Sequence, residues 1–127
     1  MNKENLLRMA DYIETVPQEL FCMYEYRDGD CINPVCTSVG DTIGHCTHLD
    51  PNKLPMIYAK IDFCRWSEDF TGLSRFSGMW LWCFDSVWYV IDNTPTGAAA
   101  RIRYLINHGL PENWKEQLNG CDPICYK

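Results

Sequence analysis

Asn93-Thr94-Pro95-Thr96-Gly97-Ala98-Ala99-Ala100-Arg101-Ile102 is the stretch that decides the fold. Thr94 can accept a hydrogen bond from the free N–H groups of a first helical turn. Pro95 takes the first helical position, where its missing N–H costs nothing. Ala98, Ile102, Leu105 and Ile106 then follow at the spacing of one buried helical face. Gly109 ends the run and Pro111 follows, so the helix opens at Pro95 and closes before Gly109.

Immediately upstream, Phe76, Trp80, Phe84 and Trp88 stand four apart and form a candidate aromatic core. Trp80, Trp82 and Phe84 also alternate, and Asp85-Ser86 separates two apolar runs, a pattern that admits a small β-hairpin. The four-residue spacing favours a helix up to Phe84 and an extended segment after it. Downstream, a short helix is expected from about Glu112 to Leu118, docking Trp114 and Leu118. The tail from Gly120 to Lys127 is expected to be loose.

At the other end, Leu6, Met9, Ala10, Ile13 and Val16 predict a helix over 3–16, capped by Asn2 or Asn5 and stopped at Pro17. Residues 17–36 read as irregular, with breakers at Arg27-Asp28-Gly29-Asp30 and Asn33-Pro34. A short helix is expected from Thr37 or Ser38, with Val39, Ile43 and Cys46 on one face. Gly40 and Gly44 on the neighbouring stripe suggest a close packing partner. Leu49–Pro55 reads as a loop. Ile57–Phe70 reads as a helix with Ile57, Ile61, Cys64 and Glu68 in register and Gly72 past its end. The expected fold is a single domain over 1–127, mainly α, with four or five short helices around a Trp-rich core.

Two segments carry a resemblance. Asp92-Asn-Thr-Pro-Thr-Gly-Ala-Ala-Ala-Arg-Ile102 resembles the Asp-Asn-Thr-Pro-x-Gly-Ala-Ala-x-Arg-Ile helix start of small uncharacterised phage, prophage and bacterial proteins. Cys36-Thr-Ser-Val-Gly-Asp-Thr-Ile-Gly-His45 resembles their Cys-Gly-Thr-x-x-Cys-Ala-x-Gly-His stretch, with Thr37, Asp41 and Thr42 where those proteins have Gly, Cys and Ala. The resemblance implies a mobile genetic element as the origin. It carries no activity with it, and Asp41 removes the paired cysteines.

Charge is unevenly distributed. Residues 1–50 hold nine acids and three bases, whereas residues 51–127 hold eight of each, so the net charge of −6 belongs to the first part of the chain. An asymmetry of this kind governs association and partner choice. It also disfavours direct nucleic-acid binding, which needs clustered Lys and Arg against phosphates. No apolar run reaches the roughly eighteen residues that a membrane span requires. The opening Met1-Asn2-Lys3-Glu4-Asn5 is unlike a targeting segment, and a cytoplasmic setting in the host cell is expected.

Glycine-rich phosphate loops, zincin helices and nucleophile elbows are absent from the sequence. Catalysis is therefore not expected, and binding is. Glu14, Glu19, Tyr24, Glu25, Tyr26, Asp28 and Asp30 are the candidate contacts: carboxylates interleaved with aromatics, facing a host protein or nucleoprotein complex with a basic surface. The expected function is inhibition of a host defence complex, in the manner of an anti-CRISPR protein, by occupying a nucleic-acid-binding surface. One alternative is a zinc-stabilised adaptor that recruits a host protein, with Cys31, Cys36, Cys46 and His48 (or His45) as structural zinc ligands. Another is a cysteine-dependent enzyme with Cys36 before a helix start and His45 and His48 near it. Cys64 and Cys83 read as core residues, and Cys31–Cys36 or Cys121–Cys125 as possible disulfides. Arg101 and Arg103 are expected to pair with core-edge acids such as Asp92, and His108 to suit the helix dipole.

Overall fold

A computed structural model describes residues 1–24, 40–50 and 60–127. The fold is mainly α, with seven α-helices among the described residues: α1 Lys3–Ile13, α2 Thr42–Cys46, α3 Lys60–Thr71, α4 Gly78–Phe84, α5 Trp88–Ile91, α6 Pro95–His108 and α7 Trp114–Leu118. One-turn 3₁₀ helices sit at Gln18–Leu20 and Thr47–Leu49.

Helix α6 forms as its sequence dictates. The Thr94 hydroxyl accepts from Gly97 N–H at 3.0 Å, Pro95 opens the helix, and Gly109 closes it at φ +77°, where a β-carbon would be strained. Ala98, Ile102 and Leu105 are buried, as is Arg101. Its apolar face packs on α1, which buries Leu6, Met9, Ala10 and Ile13. Asn2, not Asn5, caps α1, accepting from Asn5 N–H at 3.0 Å. Asn5 instead ties α1 to the end of α3 by donating to the Phe70 carbonyl at 2.9 Å. The helix stops at Ile13, and a turn over Glu14–Val16 then lets Val16 bury before Pro17.

The predicted extended segment after Phe84, and the hairpin alternative, give way to a break and a further helical turn. The Asp85 carboxylate accepts from Val87 N–H at 2.9 Å and starts the turn that becomes α5. This restart keeps Trp88 in the core. Its indole N–H donates to the Trp82 carbonyl, and Trp82's own indole donates to the Arg101 carbonyl, so these two rings bring their polar groups to acceptors as they enter the interior. Trp80 does the same with Ser67 on α3, whereas the buried Trp66 indole N–H has no acceptor.

Phe76 departs from the expected aromatic stripe. It lies at φ +68° in the turn before α4, 70% exposed, with the Arg75 guanidinium over its ring. The buried face of α3 also differs: Trp66, Ser67, Phe70 and Thr71 join Cys64 inside, and Ile61 is exposed. Ile57 and the loop 51–55 lie outside the described residues, as do Thr37 and Ser38. The described start of α2 is Asp41, whose carboxylate accepts from Gly44 N–H at 2.8 Å. Gly40 is not helical; it pairs with Phe21 in an isolated parallel bridge.

The tail is the largest correction. It is not loose: Tyr126 is buried, and the segment 119–127 is strapped across α7 and α6.

Candidate functional site

Among the described residues two places stand out, a polar cluster inside the molecule and an exposed aromatic patch on its surface. Inside, Asp92 lies just before α6 and turns its carboxylate back over the helix start. Thr94 Oγ1 donates to its Oδ1 at 2.6 Å, the Tyr126 hydroxyl to its Oδ2 at 2.9 Å, and the Lys127 ammonium lies 3.2 Å from Oδ2. Arg101, nearly two turns into α6 and fully buried, brings Nη1 to 3.6 Å from Asp92 Oδ2 and donates to the Tyr126 oxygen at 3.1 Å. Its guanidinium lies 4.1 Å from the Trp88 ring centroid and 5.3 Å from that of Tyr126. Nε and Nη2 have no hydrogen-bond acceptor.

Burial pushes the Asp92 carboxyl up, yet the hydrogen bonds from Thr94, Tyr126 and Lys127 and the charge of Arg101 outweigh it and hold the group below its ordinary value. Burial drives the Tyr126 phenol up to about 12, against the pull of Arg101. Burial also works against the Arg101 charge, which Tyr126 and Asp92 support. The cluster is thus an ionic knot that ties α6, the turn before it and the tail together. The expected pairing of Arg101 with Asp92 is present. Arg103 pairs elsewhere: it reaches across to α1, with Nη2 2.7 Å from Asp11 Oδ1 and Nη1 on the Glu14 carboxylate.

That pairing bears on the candidate contacts. Glu14 braces α1 to α6. Asp41 is buried as the α2 cap, and burial raises its pKa well above the ordinary value despite the N–H groups of Gly44 and Ile43. A carboxyl whose folded pKa is raised weakens the fold above that pKa, and this penalty disappears as pH falls through it. Asn caps helices as well as Asp does and carries no charge. Asp41→Asn is therefore expected to hold or raise the melting temperature at pH 7, whereas Asp41→Ala loses the cap and about 1 kcal/mol of stability. Thermal denaturation of the two variants checks this.

On the surface, Glu19 is exposed on the first 3₁₀ turn and Tyr24 is 71% exposed. Glu25, Tyr26, Asp28 and Asp30 lie outside the described residues. The Tyr24 ring rests against Tyr89 on α5, centroids 5.9 Å apart, and next to Tyr89 stands Val90, the most exposed large apolar side chain described. Tyr89 and Val90 were not expected at a site. Their signal was the position of Trp88: a one-turn helix that buries Trp88 must turn the next two residues outward. The sequence hid that helix by looking extended.

Of the proposed zinc ligands, Cys31 and Cys36 lie outside the described residues. Cys46 is buried, its thiol directed at the Met9 carbonyl, and burial with the nearby Asp41 charge pushes its pKa up. His48 gives Nδ1 to the His45 carbonyl at 2.9 Å and stacks edge-on against Tyr12. His45 Nε2 is bonded to the Leu20 carbonyl at 2.6 Å. Among the described residues, no three His, Cys, Asp or Glu side chains form a group that can hold a metal ion. Cys83 is likewise buried, its thiol pushed up to about 12 by burial over the opposing pull of Arg101. Such thiols stay protonated and are poor nucleophiles.

An open cleft of about 310 Å³ runs beside α6, lined by Glu14, Arg103, Tyr104, Asn107, His108 and Tyr126 among others. His108 occupies the last turn of α6 and packs on Tyr104. Among the described residues no helix is long and apolar enough to cross a membrane. No protein-family model, curated protein or solved structure matches the chain.

Proposed function

We propose that this protein works by binding, as an acidic inhibitor of a host defence complex of the anti-CRISPR kind. In this reading it acts in the host cytoplasm and covers a basic surface on which its target would hold nucleic acid. The observation that supports it most directly is the exposed Tyr24–Tyr89–Val90 patch at the edge of the most acidic part of the chain. Large apolar side chains held outward, with one ring leaning on another, lose little conformational freedom on binding. Tyr is favoured as an interface anchor for that reason.

The acidic excess of residues 1–50 gives direction to the encounter. Carboxylates take the place of phosphates against Lys and Arg, raise the association rate and weaken with salt. Glu14 and Asp11 are already engaged by Arg103, and Asp41 is buried. Of the acids in residues 1–50, Glu19 and the sequence-predicted Glu25, Asp28 and Asp30 carry the role in this reading.

The target is identified by capture from host lysate, and its affinity is then measured at physiological salt. Tyr24→Ala is expected to weaken binding about tenfold or more while changing unfolding free energy by less than about 0.5 kcal/mol. Asp28→Lys with Asp30→Lys is expected to slow association and to flatten its salt dependence. If both variants bind and inhibit like the parent chain, the target docks elsewhere and this reading fails.

A further inference from the structure

The segment 119–127 has no regular secondary structure, and every fixed point it has is a side-chain or single backbone contact. Cys121 N–H donates to the Glu116 carbonyl, and Asp122 accepts from Asn113 at 3.0 Å. Cys125 is seated on Gln117, a fully buried side chain: Gln117 Oε1 accepts from Cys125 N–H at 3.2 Å, and Gln117 Nε2 lies 2.9 Å from Cys125 Sγ. The next residue is Tyr126, whose hydroxyl joins Asp92 and Arg101 and whose ring packs edge-on against Trp82 and Trp88 at 5.5 and 5.6 Å. The strap thus seals the ionic knot, and the residue that holds its last turn down is an exposed cysteine, four residues from another exposed cysteine.

We propose that Cys121 and Cys125 are a thiol latch: a small-molecule disulfide such as glutathione disulfide oxidises them to an intramolecular disulfide, and this unseats Tyr126 from Asp92 and Arg101. One cysteine thiolate attacks the glutathione disulfide, forming a mixed disulfide and releasing one glutathione thiolate. The second cysteine thiolate attacks the protein sulfur of that bond and releases the other glutathione. Two protein thiols are oxidised, and one glutathione disulfide is reduced to two thiols.

The latch acts because each sulfur has its own partner in the closed strap. The two sulfurs now face different partners: Cys125 Sγ lies on Gln117 Nε2, and Cys121 Sγ faces the Asn119 carbonyl at 3.8 Å. A disulfide needs them about 2.05 Å apart, so at least one sulfur must leave its partner; in this proposal Cys125 is the one that leaves Gln117, and it carries Tyr126 with it. The closed state also resists opening less than its burial suggests. Arg101 Nε and Nη2 are sealed in without acceptors, and water gives them partners once the strap lifts.

The test is oxidation of the full chain with glutathione disulfide, followed by peptide mapping, tryptophan emission and thermal denaturation. The expected product links Cys121 to Cys125, with emission shifted to the red as Trp82 and Trp88 meet water. The melting temperature is expected to fall by roughly 3–6 °C, and dithiothreitol should restore all three readings. Cys121→Ser should stop at a glutathione adduct on Cys125. A Cys121→Ser/Cys125→Ser chain treated in parallel sets the contribution of the other thiols, Cys22 among them. The proposal is overturned if both thiols survive in the folded chain. It is equally overturned if the disulfide forms with emission and melting temperature unmoved, both readings being made on the unaltered chain.

Discussion

Gly97→Ala is expected to lower the unfolding free energy by about 3–5 kcal/mol, because added volume here also breaks a buried ionic contact. A β-carbon at residue 97 would lie 2.1 Å from Asp92 Oδ2, 2.5 Å from its Cγ and 2.7 Å from Oδ1. The short Asp92 side chain has to move, and four partners oppose the movement: Thr94, Tyr126, Lys127 and Arg101. Shifting the carboxylate leaves Arg101 buried without its counter-charge. The spacing Asp92-Asn-Thr-Pro-Thr-Gly97 therefore has a mechanical meaning. The acid folds back onto the first turn of α6, and only glycine leaves room for it. Denaturant titration of Gly97→Ala beside Thr96→Ala measures the effect. The exposed Thr96 variant should stay within about 0.5 kcal/mol of the parent. A Gly97→Ala chain equally close to the parent would mean that the carboxylate does not rest on residue 97.

The features legible in the sequence are those whose cause is local. The Thr94 cap, Pro95 and Gly109 each act within one helical turn, so the residues of α6 are enough to define it. Asn2 and Asn5 are equally good caps by residue type, and a contact 65 residues away decides between them by giving Asn5 the Phe70 carbonyl. Phe76 matches the four-residue aromatic spacing, but Gly72 and the turn over Ser74–Ser77 hold its backbone outside the helix. Trp88 and its neighbours look extended because Asp85-Ser86 breaks the helix. The restart depends on an Asp85 side-chain hydrogen bond that spacing alone does not reveal. The tail is the least legible part. Tyr126 sits among Cys, Pro and Ile with no periodicity, and its reasons for folding, Asp92 and Arg101, lie 34 and 25 residues upstream. For the surface site, Tyr24 is readable as an anchor from composition. Tyr89 joins it only through the fold, and Glu14, still exposed, gains a pairing with Arg103 that spacing alone does not reveal.

The ionic knot makes the second large prediction, and its sign follows from the direction of one shift. The carboxyl of Asp92 titrates lower in the folded chain than in the unfolded chain, where a value near 3.9 is ordinary. A group of this kind contributes stability that is fully present above the unfolded pKa. The contribution is lost as pH falls through the folded pKa. Removing either partner strands a buried charge, so Asp92→Ala and Arg101→Ala are each expected to cost about 3–5 kcal/mol at pH 7. Arg101→Met paired with Asp92→Ala should cost less than the sum of the single changes, because the double variant leaves no lone charge inside. The pH dependence separates the charge from the shape. Asp92→Asn keeps the acceptor for Thr94 and Tyr126 but not the attraction to Arg101 and Lys127. Its deficit against the parent chain should hold steady from pH 7 down to about pH 5 and narrow below about pH 4, as the parent's own carboxylate is protonated. Asp41 acts in the opposite sense, because protonation relieves its buried charge. The comparison is therefore made in the Asp41→Asn background as well, where narrowing of the deficit can come only from Asp92. A deficit that stayed constant down to pH 2 would show that the carboxylate's charge contributes nothing to the knot and that packing alone holds the tail.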